Sequence, residues 1–452
     1  MKNILDAIVA AGGTPLFVGG CVRDEILRLP CKDIDVEVYN LETSDLIAVL
    51  SKFGRVDQVG VSFGVIKLTT ETDDFDFTLP RRDNKTGTGH CGFEVVVDHK
   101  LSPMEAAKRR DFTINSIARD MNGNLIDPYG GESDLMYGIL RATSEHFAED
   151  PLRVLRGFQF AGRFNMKVDD RTADLCASLL PEAETLASER IFGEWEKWAL
   201  KSVKPSAGLQ FLVDTGWISL YPELEAIYEL DQDPEWHPEG CVLTHTGFVC
   251  DAAAAIAVRD QLDDEERLVL MFAALGHDLG KATTTQVKNG RIVAPGHAEA
   301  GADLTRSLLE RIGFVGDAKL RRIVDQIVPL VVEHMAHLNI EPNDRIVKRL
   351  AVRTSPSSLK QLVRLMEADH SGRPPLPKHC PPGAMQILEI ADRLAIQDDK
   401  PEQILKGRHL IPLGLIPGPI FKTIIDEAYQ LQLDGDINTL EEAIQFAKDR
   451  TK

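Results

Sequence analysis

The segment LFVGGCVRDEIL (16–27), followed closely by KDIDVEVY (32–39), decides how the N-terminal part of this chain folds. An apolar run, the glycine pair Gly19-Gly20 and a helical apolar pattern follow one another in that order. This order predicts a strand, a tight turn and a helix N-terminus, an arrangement that presents backbone N–H groups to a phosphate. The segment therefore predicts a phosphate-binding turn at the end of the first strand.

A pair of carboxylates follows this turn. Residues two apart on a strand point to the same face, so Asp33 and Asp35 are expected to converge on one point. Magnesium in proteins typically uses one or two carboxylates together with substrate phosphates. The run Phe75–Leu79 alternates apolar and polar residues and places Asp76 on the polar face of a further strand. The three carboxylates beside a phosphate turn predict phosphoryl or nucleotidyl transfer.

The bulk composition is that of an ordinary globular protein. The 452 residues predict two to four domains, and 43% are hydrophobic and 27% charged. The net charge of -19 argues against a surface covered by nucleic acid, so any RNA site is expected to be a local basic patch. The seven cysteines form no C-x-x-C pair, which argues against a zinc finger or a disulfide framework.

No targeting segment is recognisable at the N-terminus MKNILDAIVAAGG, and we expect no apolar run to approach the ~18 residues that a membrane span requires. The expected location is the cytoplasm, with reduced thiols and without membrane contact.

Strand signals are concentrated in the first 141 residues, and the pattern from Thr143 onward is helical. Two proline- and glycine-rich breaks interrupt the helical part at 234–240 and 373–383. Near the C-terminus, Pro419 and Gly435 are expected to mark the start and the end of a helix. The predicted strands are Leu16–Gly19, Asp35–Tyr39, Gly64–Thr69, Phe75–Leu79 and Leu125–Asp127.

Two polar segments lie between these strands and the helical part. Residues 81–92 are expected to form a loop, which can be mobile. A basic triplet at 108–110 precedes an apolar pattern at 112–117 that is expected to be helical. Three cations beside a metal-bound triphosphate would neutralise it and orient the leaving pyrophosphate.

The run EDPLRVLR (149–156) places Asp150 and Arg153 one helical turn apart. An Asp and an Arg together can mimic a complementary base edge, because one accepts from an exocyclic amine and the other donates to two acceptors. The chain closely resembles the bacterial-type (class II) tRNA nucleotidyltransferases and the related bacterial poly(A) polymerases, of the polymerase-beta-like superfamily. The motifs that carry this resemblance are GGCVRD, DIDVEVY, RRDFTINSIA, DPYGG, EDPLRVLRGFQFAGRF and SERIFGEWEKW.

The resemblance implies roles for individual residues. Asp33, Asp35 and Asp76 would be catalytic; Asp33 and Asp35 would bind two Mg²⁺ ions with Asp76 assisting, and Asp24 would brace the glycine turn. Asp150 and Arg153 would select CTP and then ATP, and Arg163 would lie nearby. Ser188, Glu189 and Arg190 match a motif that stabilises the neck. The residues expected to contact the nucleotide are Gly19, Gly20, Arg23, Arg109, Arg110, Asp111, Asn115, Asp150, Arg153 and Arg156.

Within the family, CCA addition to the 3′ end of tRNA from CTP and ATP is the favoured activity. The segment KTGTGHCGFEVVVDHKLS (85–102) lacks the basic stretch that polyadenylating members usually carry. A full-length segment at 81–105 disfavours CC-only members, which tend to have it shortened. An enzyme that adds only A is the nearest alternative, followed by a poly(A) polymerase. From another class, a non-catalytic RNA-binding regulator remains open.

A second constellation lies in the helical part. His245, the pair His277-Asp278, and Asp369 occur in the order H…HD…D, all on predicted helices. This order resembles the HD phosphohydrolase superfamily, whose members bind metal. Imidazole with carboxylate suits Mn²⁺, Ni²⁺, Co²⁺ or Fe better than Mg²⁺. Further candidates for a second metal or a phosphate contact are His237, Lys281, His297 and His334. A head fused to this domain resembles multifunctional enzymes that also hydrolyse phosphoesters such as 2′,3′-cyclic phosphates.

The predicted fold is therefore α+β: a polymerase-beta-like head with a mixed sheet, then an all-helical neck and body, then a helical HD domain. The expected boundaries are a nucleotidyltransferase head at 1–141, a nucleotide-selecting neck and body at 142–228, an HD domain at 229–375, and a helical tail at 376–452.

Overall fold

The structure is a computed structural model that describes residues 1–31, 34–59, 65–71, 73–85, 93–338 and 341–450. The chain divides into two compact units, Met1–Leu220 and Tyr221–Lys452. The first unit contains α1 Lys2–Ala10, β1 Thr14–Val18, α2 Gly20–Ile26, β2 Asp35–Tyr39, α3 Thr43–Leu50, β3 Arg55–Val59, β4 Val65–Thr69, β5 Asp74–Thr78, β6 Arg81–Lys85, β7 Phe93–Val97, α4 Pro103–Ala107, β8 Ala118–Arg119, β9 Leu125–Ile126, α5 Gly131–Tyr137, β10 Ile139–Leu140, α6 Leu152–Phe164, β11 Lys167–Val168, α7 Asp170–Ser178, α8 Ser188–Lys201 and α9 Pro205–Asp214.

The head is built on a seven-stranded mixed sheet in the order β3-β4-β5-β2-β1-β8-β9. Strands β2 and β5 pair in parallel, and the other neighbours pair antiparallel. Val36, Val38 and Phe77 are fully buried in one core with apolar residues of α1 and α3. Because side chains alternate along a strand, the residues between them face the other side of the sheet. That other side carries Asp35 and Asp76.

Two short segments of the head differ from the prediction. Residues 81–85, expected in a loop, form β6 and pair with β7 in a hairpin, while 86–92 lie outside the described residues. The apolar pattern after the basic triplet gives one 3₁₀ turn, Thr113–Asn115, and then β8. The helical spacing there misleads because Phe112, Ile114 and Ile117 are all fully buried in an irregular segment.

Helices α6, α8 and α9 form the neck around aromatic residues. The ring of Phe158 lies 4.5 Å from the ring of Trp195 and 5.6 Å from that of Trp198, and all three side chains are buried. Such aromatic clusters contribute about 0.5–1.5 kcal/mol per pair beyond the area that they bury. The helical neck is thus confirmed, with one addition, the short parallel pair β10–β11.

In the residues that the structure describes, the second unit is helical apart from one hairpin, β12–β13. The predicted C-terminal helix runs from Pro419 to Asp434 and is capped by Gly435, whose φ of 88° suits glycine. The elements are α10 Pro222–Glu225, α11 Val242–Arg259, α12 Asp264–Gly276, α13 Lys281–Thr284, β12 Gln286–Lys288, β13 Arg291–Val293, α14 His297–Ile312, α15 Ala318–Glu333, α16 Asp344–Thr354, α17 Leu359–Ser371, α18 Pro382–Arg393, α19 Gly407–Leu410, α20 Pro419–Asp434 and α21 Leu440–Arg450.

Helix α11 has 18 residues and a mean hydropathy of 1.2, so by length and composition alone it could cross a membrane. The expectation that no apolar run approaches this length is therefore wrong for α11. The helix packs against α12 and α17, and 61% of it is buried inside the protein. Its apolar composition is that of a core helix, and it carries the buried His245.

Candidate active sites

Strand register brings two of the predicted catalytic carboxylates together. Asp35 and Asp76 are direct partners in the parallel ladder between β2 and β5. Both face away from the core of α1 and α3, Asp35 partly exposed and Asp76 exposed. Asp33 lies outside the residues that the structure describes. Two adjacent carboxylates that solvent can reach offer the oxygen ligands that Mg²⁺ prefers, so this face fits a magnesium site.

The glycine turn lies beside this pair. Gly19 has φ 74° and ψ -134°, a conformation available almost exclusively to glycine. A Cβ at Gly19 would lie 2.9 Å from Nη1 of Arg110 and 3.8 Å from Oδ2 of Asp35. The turn, the arginine and the carboxylate therefore meet at one place. The predicted set Gly19, Asp35 and Arg110 is assembled by the fold.

Glu37 occupies the same face of β2 and was not predicted. Its Oε1 accepts a hydrogen bond from Nη2 of Arg109 at 3.0 Å, and its Oε2 accepts one from the Tyr39 hydroxyl. Burial alone would raise the pKa of Glu37, but the charges of Arg110 and Arg109 hold it below its usual value. Glu37 thus fixes Arg109 on the face of β2 that carries Asp35. The two-residue period Asp33, Asp35, Glu37 was the signal that could have found it.

A buried polar chain connects the glycine turn to the neck. Arg23 is 4% exposed, and its guanidinium donates to Asp24 Oδ1 and to Asn115 Oδ1 at 2.6 Å. Asn115 donates to Oδ1 of Asp111, whose Oδ2 accepts from Nε of Arg156 at 2.7 Å. This hydrogen-bond network therefore holds α2 and α6 together. Arg23, which was expected to contact the triphosphate, is part of the network in this structure.

The charge of Arg156 stabilises the ionised form of Asp111. Burial alone would raise the pKa of Asp111, but Arg156 and hydrogen bonds from Asn115 and the Phe112 amide lower it to about 2. On the same helix, Nη2 of Arg163 donates to Oδ2 of Asp24 at 3.4 Å, a second link between α2 and α6.

The base-reading pair is arranged differently from the prediction. Asp150 precedes α6 instead of lying on it, and its Oδ1 accepts from the amide of Leu152. Its Oδ2 accepts from Arg190 at 2.7 Å, which joins α8 to the start of α6. Arg153 donates to the backbone carbonyls of His146 and Arg109. Among the described residues, Asp150 and Arg153 therefore form no ion pair with each other, and Arg190 contacts Asp150.

The second unit brings its predicted histidines and carboxylates into one cluster. Nε2 of His245 lies 3.1 Å from Oδ1 of Asp369 and 3.4 Å from Nε2 of His277. His245 lies on α11 and Asp369 on α17, but His277 and Asp278 follow the end of α12 in a turn. The prediction that all four lie on helices is wrong for these two. The turn lets the HD pair point back toward α11.

A second triad adjoins the first. Nε2 of His297 lies 3.3 Å from Oδ1 of Asp278 and 3.3 Å from Nε2 of His334. The three ligand atoms lie within 4.8 Å of one another, as do those of His245, His277 and Asp369. Burial alone would raise the pKa of Asp278, but the charge of Lys281, 2.7 Å away, holds it well below its usual range.

The imidazoles are oriented through their Nδ1 atoms. Nδ1 of His277 contacts the Ala274 carbonyl at 2.7 Å, and Nδ1 of His297 contacts the Ala294 carbonyl at 2.8 Å. His334 uses the Val331 carbonyl in the same way. A carbonyl accepts only from an N–H, so the proton is on Nδ1 and the lone pair on Nε2 in each ring. Lone pairs that converge on one point, beside carboxylates, are the donor set of a transition-metal site.

Glu239 is a further member that the sequence did not reveal. Its side chain is fully buried, and Oε1 lies 2.7 Å from Nδ1 of His245 and 2.9 Å from Nδ1 of His237. Burial alone would raise the pKa of Glu239, but hydrogen bonds from His237 and His245 lower it to about 2. In turn, hydrogen bonds to Asp369 and Glu239 overcome burial and raise the pKa of His245 to about 9.

A cavity of about 750 Å³ opens onto this cluster. Its wall includes Asp278, His297, His334 and Asp369, together with Lys281. The Nζ of Lys281 also donates to Oε1 of Gln232 at 2.8 Å, which fixes the ammonium at the cavity. The volume lies within the usual range of small-molecule sites. The cluster is therefore accessible to a small molecule.

Two family profiles match the chain, one in each unit. The Poly A polymerase head domain matches residues 16–141, and the HD domain matches residues 242–396. Solved structures share the fold over nearly the full chain. A CCA-adding enzyme of Bacillus stearothermophilus in complex with CTP superposes with a TM-score of 0.62 at 21% identity, covering 99% of this chain and 96% of that one. A Thermotoga maritima CCA-adding enzyme complexed with tRNA gives 0.59 at 19% identity, covering 100% and 94%.

Curated relatives are more similar in sequence. A multifunctional CCA protein of Nitrosococcus oceani is 34% identical over 382 residues, which cover 84% of this chain and 89% of the relative. One of Xanthomonas campestris pv. campestris is 36% identical over 79% of this chain and 85% of the relative. Together with the assembled head and HD clusters, this similarity shows that the chain belongs to the family of multifunctional CCA proteins.

Proposed function

We propose that the first unit adds and repairs the 3′-terminal CCA of tRNA from CTP and ATP. The observation that carries this proposal is the side-by-side placement of Asp35 and Asp76 next to Gly19 and Arg110. In the reaction, the 3′ oxygen of tRNA forms a bond to the α-phosphorus, the bond to the leaving oxygen breaks, and pyrophosphate departs. The family name of its relatives agrees with this activity.

The chain's own residues would position the reactants. Asp33, Asp35 and Asp76 would hold Mg²⁺, which when bound lowers the pKa of the attacking hydroxyl and stabilises the leaving group. Arg109 and Arg110 would neutralise the triphosphate. Asp150 and Arg153 would read the base. If their present partners were displaced, the Asp150 carboxylate would be free to accept hydrogen bonds and the Arg153 guanidinium would be free to donate them. Arg23, Asp111, Asn115 and Arg156 would support this site through the buried chain.

Extension of tRNA that lacks CCA tests this function. With CTP and ATP together we expect two C and one A to be added, and we expect no extension by Asp35→Ala. Addition of A alone, and only to tRNA that already ends in CC, would instead identify an A-adding enzyme. Runs of A would identify a poly(A) polymerase, and failure to release pyrophosphate from CTP or ATP would favour a non-catalytic RNA-binding regulator.

We propose that the HD cluster is a metal-dependent phosphohydrolase that acts on 2′,3′-cyclic phosphates. The main support for this proposal is that the Nε2 atoms of four histidines converge around Asp278 and Asp369. These histidines are His245, His277, His297 and His334. A transition metal such as Mn²⁺, Ni²⁺, Co²⁺ or Fe, when bound, would activate water and polarise the phosphate. Water adds to phosphorus, one ester bond breaks, and the product is a monophosphate with a free hydroxyl. Lys281 would neutralise the phosphate, and His237, which also lines the cavity, would be a further contact for a metal or the phosphate.

Hydrolysis of 2′,3′-cyclic AMP by protein loaded with each metal in turn tests this function. We expect activity that a chelator removes and that one of the transition metals restores, and we expect Asp369→Ala to lack it. No hydrolysis with any of these metals would assign the cluster a structural role. Removal of a cyclic end followed by CCA addition would make the chain one repair enzyme for tRNA ends.

Both activities imply the same surroundings. The partners would be the acceptor end of tRNA, CTP and ATP, in the cytoplasm and without a membrane. We also propose the four-part division at 1–141, 142–228, 229–375 and 376–452 as the functional one. It is finer than the division into two compact units at residue 220.

A further inference from the structure

The cavity beside the candidate metal ligands also contains a positively charged residue that is not one of those ligands. Arg373 follows α17 and lines the cavity together with Asp369. Its Nε donates to the His370 carbonyl at 3.4 Å. Among the described residues, no carboxylate pairs with Arg373. An arginine in a cavity without a carboxylate partner has its fork of donors available for an anion.

The other two cations of the cavity are neutralised. Arg291 donates to Asp233 at 2.9 Å and to Glu235 at 2.8 Å, and Lys281 contacts Asp278 at 2.7 Å. Arg373 therefore differs from both in having its charge uncompensated within the described part of the chain.

Two imidazoles lie in the same wall as Arg373, those of His337 and His370. Nδ1 of His370 is buried and has no hydrogen-bond partner among the described residues, whereas His337 interacts with the His334 backbone. Buried polar atoms in proteins are nearly always satisfied, so an unsatisfied one requires an explanation. A ligand group that Arg373 binds would supply the missing partner for the His370 ring.

Part of the remaining wall is apolar and exposed. Trp236 is 56% exposed, Leu338 43% and Met335 37%, although all three line the cavity. Exposed aromatic and aliphatic side chains beside charged groups suit an organic phosphate that carries a base, because a base can stack on an aromatic ring.

We propose that Arg373, with His337 and His370, forms a second phosphate subsite in the HD cavity. The proposal rests on the phosphohydrolase function given above. The cluster of histidines and carboxylates binds the phosphate that reacts, and Arg373 binds a second phosphate of the same substrate. The substrate class is then a nucleoside with a 2′,3′-cyclic phosphate and a further phosphate on its 5′ side. That phosphate belongs either to a free nucleotide or to the last phosphodiester of an RNA 3′ end.

Three substrates test the subsite on the full, metal-loaded chain: adenosine 2′,3′-cyclic phosphate, its 5′-phosphorylated form, and the dinucleotide ApA with a terminal cyclic phosphate. We expect Arg373→Ala to raise KM about tenfold or more for the second and third substrates, the loss typical of one charged hydrogen bond, and to leave the first unchanged. Arg373→Lys should restore part of the loss. Arg291→Ala, in the same cavity but already neutralised, should show no such selectivity.

The two doubly phosphorylated substrates distinguish the sources. A lower KM for the dinucleotide than for the 5′-phosphorylated nucleoside assigns the subsite to an RNA end, and the reverse assigns it to a free nucleotide. Equal KM changes for all three substrates in Arg373→Ala would overturn the subsite and leave the phosphohydrolase standing.

A binding measurement keeps the test independent of turnover. Calorimetry should show adenosine 3′,5′-bisphosphate binding about tenfold more tightly than adenosine 3′-monophosphate, a preference that Arg373→Ala abolishes. Equal affinities in the unaltered protein would overturn the subsite. If no substrate is hydrolysed, the phosphohydrolase proposal fails, and this binding preference still decides the role of Arg373.

Discussion

At the residue scale, carboxylates in the two sites have different tasks that follow from their partners. Asp35 and Asp76 lie side by side on an accessible face, so they can bind a cation. Glu37, Asp111 and Glu239 are buried and paired with arginines or imidazoles, so they hold other side chains in place. Each of these assignments can be tested with a variant and a matched control.

Asp76→Asn should lower the rate of nucleotide addition on the order of 100-fold, because one electrostatic stabiliser of the transition state is lost. Asp74 lies two residues earlier on the same face of β5 and pairs with Lys67 at the surface. Asp74→Asn should therefore keep the rate of nucleotide addition of the unaltered protein, since exposed ion pairs contribute little free energy. Primer extension on tRNA lacking CCA compares the two, and equal losses would contradict the assignment of Asp76.

Asp111 should make stability depend on pH. Its pKa is about 2 in the folded protein and 3.8 for an unperturbed group. A lowered folded pKa contributes stability that is fully present above 3.8 and is lost as the pH falls through about 2. Between pH 5 and pH 3 the unaltered protein should lose about 1 kcal/mol more unfolding free energy than Asp111→Asn. Urea unfolding measures this, and parallel pH profiles would refute it.

Glu239→Ala should weaken metal binding at the HD cluster about 10- to 100-fold, since Glu239 orients His245 through Nδ1. Glu235→Ala is the control, because Glu235 lies on the same segment but is exposed and contacts Arg291. Calorimetric titration with Mn²⁺ gives both affinities. An unchanged affinity in Glu239→Ala would show that backbone contacts alone orient His245.

At the element scale, the strand, turn and helix formed by β1 and α2 position the candidate nucleotidyl site. The turn requires a positive φ, and the absence of a side chain at Gly19 lets Arg110 approach Asp35. The buried hydrogen-bond network that runs from Arg23 to Arg156 fixes α2 against α6. Side-chain hydrogen bonds therefore hold together motifs that lie on separate elements of the fold.

Gly19→Ala should impair nucleotide binding as well as stability. The strained backbone costs about 1–3 kcal/mol, and the new Cβ displaces Arg110, so KM for CTP and ATP should rise. Gly12→Ala is the control, because Gly12 also has a positive φ of 94° but its Cβ would meet nothing within 4 Å. Gly12→Ala should lower stability and leave KM unchanged. If Gly19→Ala and Gly12→Ala had the same KM for CTP and ATP, Gly19 would have no role in nucleotide binding.

At the scale of the whole molecule, the chain contains two compact units with separate candidate sites. Asp278→Asn should lower hydrolysis of 2′,3′-cyclic AMP by about 100-fold, because Asp278 belongs to one ligand triad with His297 and also contacts His277 of the other. CCA addition by the same preparation should stay within about twofold of the unaltered protein, since Asp278 lies in the other unit. Parallel loss of both activities would mean that the two sites depend on each other.

Local pattern predicted the order of the elements well where one face is buried. The alternation in Asp35–Tyr39 and the apolar run before Gly19 gave strands β2 and β1, because burial of one face imposes a period of two. It failed at Phe112–Ile117, where buried residues in an irregular segment imitate a helix, and at His277, where the helix ends just before the HD pair.

The sequence by itself determined which chemistry is expected at both candidate sites, because the residue types in GGCVRD, DIDVEVY and the H…HD…D order are typical of phosphate and metal binding. Only the tertiary structure decided which groups meet. The parallel register of β2 and β5 sets Asp35 against Asp76, and helix packing sets Glu239 against His245 and leaves Arg373 without a carboxylate partner in the described chain. Residues distant in sequence come together through burial of the two cores, and local spacing contains no information on that packing.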